Sequence, residues 1–448
     1  MTTPPFSDAP LHFSFVTPAH RTLSDGTRLH LLHYPNDPLV SMTIGVHAGA
    51  MYDDVFGETT LTAQLLTLGT QLRNAEELAV DVERRGCSLS SSADRDAVSL
   101  YAAGLREHAS WLAETMVECL LRPRLDASEL DTLKRRRLAD IEMNLSDPDW
   151  LAAHALLAAQ YPGHPYANPR DGMPSTVAAV DGDSVTRVHA RLTAAPRDII
   201  VAGGFDINTI VETFERCLAS APATAPLPPP VAVNALAATA SVVARPEAVQ
   251  TVLRIAMPSK SMLHPDLAPQ NLAITILGGY TLARLFSVLR EEKGYTYGAY
   301  ATNEVRRYGQ SLVMHTSVGN DFTKDTVAVI ADQVRSMQRF DVRTDEIERA
   351  RQYMLGTLAR STETPQQAAA MAWNVIQYGL VDDHYARYTA ALQQVTRDDV
   401  AAVASSLFDA HVWTIAAVGK PDVIADALTG HVSTSRLWDP TTMTLSPP

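Results

Sequence analysis

The chain has 448 residues, 46% hydrophobic and 19% charged, which suits a folded protein of about two to four domains and excludes a disordered one. The formal net charge of −13 is spread along the chain, which speaks against a nucleic-acid partner, because phosphate binding needs a basic face. No run of about 18 uninterrupted apolar residues occurs, so no membrane-spanning helix is expected.

The basic run Lys134-Arg135-Arg136-Arg137 sits in a helical pattern beside acidic residues and reads as a solvated helix face. Cys87, Cys119 and Cys217 form no CxxC pair and read as reduced thiols. The first fifteen residues contain three prolines and no continuous apolar core, unlike a secretory signal. A cytoplasmic location is expected.

In chain order, residues 27–33 alternate and predict a strand, and a second follows at 40–47 after a Pro-Asn-Asp-Pro turn. Helical periodicity covers about 57–68 and 75–85, where Gly86 stops it. Strands near 87–93 and 97–104 read as a hairpin around Asp94-Arg95-Asp96. Amphipathic helices cover about 107–121, 127–145 and 150–161. A helix at about 182–192, a strand at 198–203 and a helix at 207–220 close the first half.

Residues 221–230 hold five prolines and can sustain neither a helix nor a central strand. They read as a semi-rigid spacer near the midpoint, which prompts a search for a repeat. The order then recurs: a strand at 249–257, helices near 268–280 and 283–289, and strands at 297–303 and 310–317. Helices at 323–337, 344–361, 365–378 and 396–408 follow, then a strand at 412–418 and a helix after Pro421. The closing units, from Arg197 to Asp206 and from His411 to Pro421, are each a short apolar strand, a glycine-containing turn and a helix. Mostly alternating strands suit antiparallel sheets with a helix-covered face. The expected fold class is α+β, with two similar domains at 1–220 and 241–448 and a linker at 221–240.

Four strings carry more specific information: GETTLTAQLLTLGT from Gly57 to Thr70, IEMNLSDP from Ile141 to Pro148, YPGHPY from Tyr161 to Tyr166 with Gly172 beyond it, and LREEKGYTY from Leu289 to Tyr297. They resemble, in order, the metal helix, a following E-I-x-M-x-x-D-x-P helix, an H-P-Y…G turn and an L-R-E-x-x-G-x-x-Y string of the insulinase/pitrilysin family of zinc metallopeptidases. The smaller members of that family include the mitochondrial processing peptidase subunits. The resemblance spans nearly the whole chain. It implies two homologous domains facing each other like clam shells around a substrate chamber.

In that family two histidines four apart on one helix face bind zinc, the glutamate between them activates a water, and a distal glutamate completes the site. Here Thr60 and Gln64 stand at the histidine positions, Ala63 at the glutamate and Asp140 at the distal ligand. Neutral Thr and Gln oxygens are poor zinc donors beside imidazole. Ala63 leaves no general base, and one carboxylate does not hold zinc. Thr60 and Gln64 then read as polar helix residues without chemistry, and no metal or cofactor is expected in this chain. No other cluster replaces the site. His30 and His33 point to opposite faces of a strand, and His154, His189, His315, His384, His411 and His431 are isolated. No nucleophile elbow or phosphate loop occurs.

The resemblance also gives Arg290 and Tyr297 a role. In the family such a pair lies in the second domain, faces the zinc, orients the substrate backbone and steadies the oxyanion, for which a guanidinium and a phenol are suited. Without it, Arg290 beside Glu291 and Glu292 would read as a surface ion pair, and Tyr297 as a strand residue packed on a helix. Gly294 reads as a helix-ending residue. The chain thus resembles the zinc-less subunit of a two-component bacterial peptidase, inactive alone. Its implied partner is a homologous subunit bearing H-x-x-E-H and the zinc, and its implied substrates are unfolded peptides, with a lean towards basic ones from the acidic balance. Two alternatives stay open: a structural scaffold like the core proteins of a respiratory complex, and a peptide-binding homodimer without proteolysis.

Overall fold

A computed structural model describes residues 15–230, 238–409 and 412–446. Expectations for the first fourteen residues, for 231–237 of the linker and for His411 lie outside the described residues. The first half runs β1 (Ala19–Thr22), β2 (Arg28–His33), β3 (Leu39–Val46), α1 (Glu58–Leu65), α2 (Ala75–Arg84), β4 (Ser88–Ala93), β5 (Val98–Leu105), α3 (Ala109–Leu121), α4 (Ala127–Asn144), α5 (Pro148–Gln160), α6 (Pro174–Ala179), α7 (Gly182–Ala194), β6 (Arg197–Gly203) and α8 (Ile207–Leu218). The second runs β7 (Thr239–Ala244), β8 (Gln250–Pro258), α9 (Leu267–Gly278), α10 (Arg284–Phe286), β9 (Ala299–Arg306), β10 (Gly309–Gly319), α11 (Thr323–Gln338), α12 (Thr344–Arg360), α13 (Pro365–Gln377), α14 (His384–Gln394), α15 (Arg397–Leu407), β11 (Thr414–Gly419), α16 (Pro421–Leu428), β12 (Thr434–Asp439) and β13 (Thr444–Leu445).

Helix starts follow from local chemistry. Asn74 and Glu77 form a reciprocal capping box on α2. Thr364 and Gln367 do the same on α13, with Pro365 in the first turn. Asp126, Asp147, Asp181 and Asp206 accept first-turn amides of α4, α5, α7 and α8. Such caps satisfy amides that a helix cannot pair internally.

The six-stranded sheet has the order β1-β2-β6-β3-β5-β4 and the seven-stranded sheet the order β13-β12-β7-β11-β8-β10-β9. The core order β2-β6-β3-β5-β4 repeats as β7-β11-β8-β10-β9, so the halves are duplicates in topology. Both sheets are mostly antiparallel, as expected. The pairs β2·β6 and β7·β11 are parallel, a refinement that strand alternation cannot supply.

Each half lends a helix to the other. Leu151, Ala152, Ala155 and Leu156 of α5 pack on Val243, Val252, Ala256, Val313, Ala416 and Val418 of the second sheet. In return Ala368, Ala369, Ala372 and Trp373 of α13 pack on Leu32, Ile200 and Ala202 of the first, and on Ala97 just before β5. Helices therefore lie on both faces of each sheet, and β6 and β11 are buried at every residue. Burying one large apolar side chain contributes about 1.5–3 kcal/mol, so the exchange ties the halves firmly. Polar contacts add to it. Tyr166 of the H-P-Y turn donates to Asp96 and accepts from the amide of Tyr308, and Gln377 donates to Asp94 at 3.1 Å.

Among the described residues no helix is long and apolar enough to cross a membrane.

Candidate functional site

Gly57 starts α1 at φ +95°, and a Cβ there would lie 3.1 Å from Cα of Gly172. The two glycines permit the close approach that seats α1 on the 165–172 turn. Thr60 Oγ donates to the carbonyl of Arg170 at 2.9 Å, which fixes that seat. Ala63 is fully buried, and its carbonyl accepts from Ser91 at 2.6 Å. Gln64 is half-buried, and Asp140 is exposed on α4 with no hydrogen bond or ion pair among the described residues.

This donor set does not fit zinc. The Thr60 hydroxyl is committed to a backbone carbonyl, Ala63 has no donor, and Gln64 offers only an amide. No group of three or more His, Cys, Asp or Glu side chains among the described residues could hold a metal ion.

What α1 has instead is a buried ionic network that the sequence reading did not single out. Glu58 and Thr59 are fully buried. Glu58 takes Arg187 Nη2 at 3.0 Å and the Asp54 amide at 2.9 Å. Thr59 donates to Asp53 and accepts from Arg191 Nη2 at 2.6 Å. Burial pushes the Asp53 carboxyl up to about 7, against the pull of Thr59 and Arg191. The available signal was a pair of polar residues at positions that the family's metal helix fills with Leu and Ala. Their role is to pin α1 to α7.

The second constellation lies in the other half. Leu289 is fully buried and anchors a wide-turned helical segment, Ser287–Glu292, that continues α10. Gly294, at φ +67°, ends it, and the Gly294 and Tyr295 amides bond back to Arg290 and Leu289 carbonyls at 3.1 and 2.9 Å. Arg290 Nη1 then donates to the backbone carbonyl of Tyr297. Its guanidinium also lies 5.2 Å over Phe286 and 3.4 Å from Glu291.

Tyr297 is not a strand residue. Thr296 Oγ accepts the Gly298 amide at 3.1 Å, which forms a turn, and β9 starts only at Ala299. The Tyr297 side chain is therefore held out rather than packed, and the residue is 87% exposed.

Beside it opens a cleft of about 310 Å³ whose lining includes Gln250, Tyr300, His315 and Ser317 of the second half and Asp149 of α5. His315, read from sequence as isolated, stands opposite Tyr300 in the β9–β10 register. Strand pairing at that turn was the signal that could have found it. Burial, then Arg254, lowers the His315 imidazole below its ordinary range. The cleft offers hydrogen-bond donors and acceptors from both halves, an arrangement suited to holding a polar chain. The structure brings Arg290 and Tyr297 together, and no hydrogen bond or ion pair among the described residues joins them to Thr60, Ala63, Gln64 or Asp140.

Comparison with known proteins agrees with this geometry. A family model described as Insulinase (Peptidase family M16) matches residues 28–172, and one described as Peptidase M16 inactive domain matches residues 185–354. The chain is similar to the uncharacterized zinc protease YmxG of Bacillus subtilis, 23% identical over 349 residues, 77% of this chain and 84% of that one. It is also similar to the non-peptidase homolog YmxG of Helicobacter pylori, 23% identical over 331 residues, 72% of this chain and 75% of that one. Its fold matches the solved peptidase M16 inactive domain from Pseudomonas fluorescens with a TM-score of 0.84 at 20% identity, over 90% of this chain and 98% of that one. A helix that keeps its place but lacks zinc donors fits an inactive member. With both halves matched and the duplicated topology in place, the chain belongs to the insulinase (M16) family of peptidases.

Proposed function

We propose that this chain is the zinc-less subunit of a heterodimeric zinc endopeptidase. A homologous partner with an intact H-x-x-E-H helix carries the zinc, and this chain lends it Arg290 and Tyr297. In this reading residues 1–220 and 241–448 are two domains that wall a chamber for unfolded peptides. The observation that carries the proposal is the outward setting of Tyr297. A phenol 87% exposed at the mouth of a polar cleft, with its backbone held by Arg290, contributes nothing to packing. A preorganised donor of this kind, aimed at a developing oxyanion, is worth about 2.7–4 kcal/mol.

The test is a peptidase assay on the chain alone, on the H-x-x-E-H partner alone and on their mixture, with zinc and with chelator. The expected result is chelator-sensitive cleavage by the mixture and none by this chain alone. Robust cleavage by the purified chain alone, or a mixture whose activity ignores Tyr297→Phe, would sink the proposal.

One observation favours a second reading, an inactive scaffold. The Arg290 guanidinium is already engaged with the Tyr297 carbonyl and Glu291, and one relative bears the name non-peptidase homolog. A chain that forms a stable complex without altering the partner's cleavage rate would support it.

A further inference from the structure

A chain of imidazoles and charges runs through the first sheet, away from α1 and Arg290. Asp198 of β6 has a fully buried carboxylate that accepts from His30 Nε2, His47 Nε2 and Arg28 Nη2, each at 2.7 Å. Burial alone would raise this carboxyl, but the three donors hold it well below the usual range. His30 lies directly across the β1–β2 pair from His20. Their Nδ1 atoms are 2.9 Å apart, and His20 Nε2 lies 2.7 Å from Asp382 Oδ2, between α13 and α14. At the other end, His47 Nδ1 accepts from Arg307 Nη1 at 3.4 Å in the β9–β10 turn. The chain thus begins and ends in the second half and crosses the first sheet between.

Donor accounting sets the charge of the histidine pair. A carboxylate only accepts. His30 Nε2 and His20 Nε2 must therefore each carry a hydrogen towards Asp198 and Asp382. Between the two facing Nδ1 atoms one hydrogen must stand, since two lone pairs would repel and two hydrogens would collide. Three hydrogens on four ring nitrogens make the pair singly positive. We propose that His20 and His30 form a proton-sharing dyad that latches β1 to the sheet edge and to Asp382 of the second half, and that a second proton opens the latch.

The neighbouring charged groups have partners of their own. Arg28 is committed to Asp198, and Arg21 donates to the His20 carbonyl at 2.8 Å. Helix α13, packed over β2, has no ionisable side chain. Asp383 pairs with Arg387, and His384 stacks on Tyr388 of its own helix. On the other face of β2, α8 engages Glu215 with Ser24 and Arg216 with Glu114. Tyr34 and Tyr385 line one cavity with His30 and Asp382.

A second proton puts two imidazolium rings in contact, and the Nδ1 bond becomes a clash. Strand β1 is short and exposed at every residue, so little else holds it beyond its backbone ladder. Its release uncovers the cavity between β2 and α13, whose lining includes Phe15, Val16, Leu32, Met371, Val375 and Tyr385. Histidine is the side chain whose ordinary titration falls where cells vary their pH.

The test is hydrogen–deuterium exchange on the full chain as the pH is lowered from 8 to 5, with rates corrected for intrinsic exchange. Amides of 19–34 are expected to lose protection by about tenfold, the factor that one lost charge-assisted hydrogen bond corresponds to, while β3 and β5 stay protected. His20→Asn, at a partly exposed position, should exchange fast in 19–34 at every pH. Histidine titration by NMR gives a second readout: the His20 and His30 signals should move together, and each should move when the other is replaced. The same pH profile for wild type and His20→Asn, or two histidines that titrate independently, would overturn the latch.

Discussion

The indole of Trp373 fills the space above Gly45, so closely that a Cβ built on the glycine would lie 2.1 Å from its ring. Gly45 belongs to β3 of the first half and Trp373 to α13 of the second. The contact explains why a glycine sits within a buried strand, where it would otherwise weaken pairing. It lies within the helix exchange between the halves.

Trp373→Ala should therefore cost about 3–5 kcal/mol, the usual range for emptying a large core site. Gly45→Ala should cost about 1–3 kcal/mol through overpacking. The double variant should cost less than the sum, because the alanine methyl gains room when the indole is gone. Urea unfolding followed by far-UV circular dichroism measures all three. Strict additivity would mean that the two residues do not share one space.

Asp53 yields a prediction about pH. Its folded carboxyl sits at about 7, raised by burial from the ordinary aspartate value of 3.8. Between those values the folded state binds more protons than the unfolded state, so this group's contribution to stability is full below about pH 4 and is lost as the pH rises through 7. Asp53→Asn keeps one acceptor oxygen, enough for Thr59 but not for the Gly57 amide as well, and cannot ionise. The variant should show a flatter decline of stability between pH 4 and 7 in urea titrations at a series of pH values. An unchanged slope would place the titration elsewhere.

Metal removal should do nothing to the isolated chain. Thr60, Ala63, Gln64 and Asp140 supply one exposed carboxylate and no imidazole. Chelator should leave the melting temperature unchanged, and elemental analysis should find far less than one zinc per chain. A family member with the metal intact would lose stability with its ligand, because anything that binds only the folded state stabilises it. A melting temperature that falls on chelation would point to a metal site outside the described residues.

How much of this was legible in the sequence depended on range. Helices with side-chain caps, such as α2 behind Asn74 and α13 behind Thr364, were readable to within about two residues, the usual uncertainty of helix ends. Helix α14 was missed: Asp383 makes no side-chain cap there. Strands β1 and β12 lie at the sheet edge or next to it and are largely exposed, so they lack a buried alternation. The exchange of α5 and α13 was not legible at all. An apolar helix face states that it will be covered, not by which sheet. The same holds for the candidate site. The loss of ligands at Thr60, Ala63 and Gln64 is local and could be read from a motif. The histidine partners of Asp198 lie in β2 and just after β3, more than 150 residues away, and only the fold assembles them.

The last prediction separates the two readings of Arg290 and Tyr297. With its phenol outside any packed core, Tyr297→Phe should change stability by no more than about 0.5 kcal/mol. In the mixture with a zinc-bearing partner it should lower kcat by roughly 10²–10³-fold while KM changes little, the signature of a contact made mainly in the transition state. Arg290→Ala should do more. It removes the donor to the Tyr297 carbonyl, so the turn that presents Tyr297 loosens, and KM should rise as kcat falls. Arg290→Lys should restore little, because an ammonium lacks the planar fork that spans a carbonyl and a second acceptor. Steady-state kinetics of the mixture, with thermal melts of each variant alone, make the distinction. If both variants melt like the wild type and the mixture cleaves at an unchanged rate, the pair acts as surface structure and the scaffold reading stands.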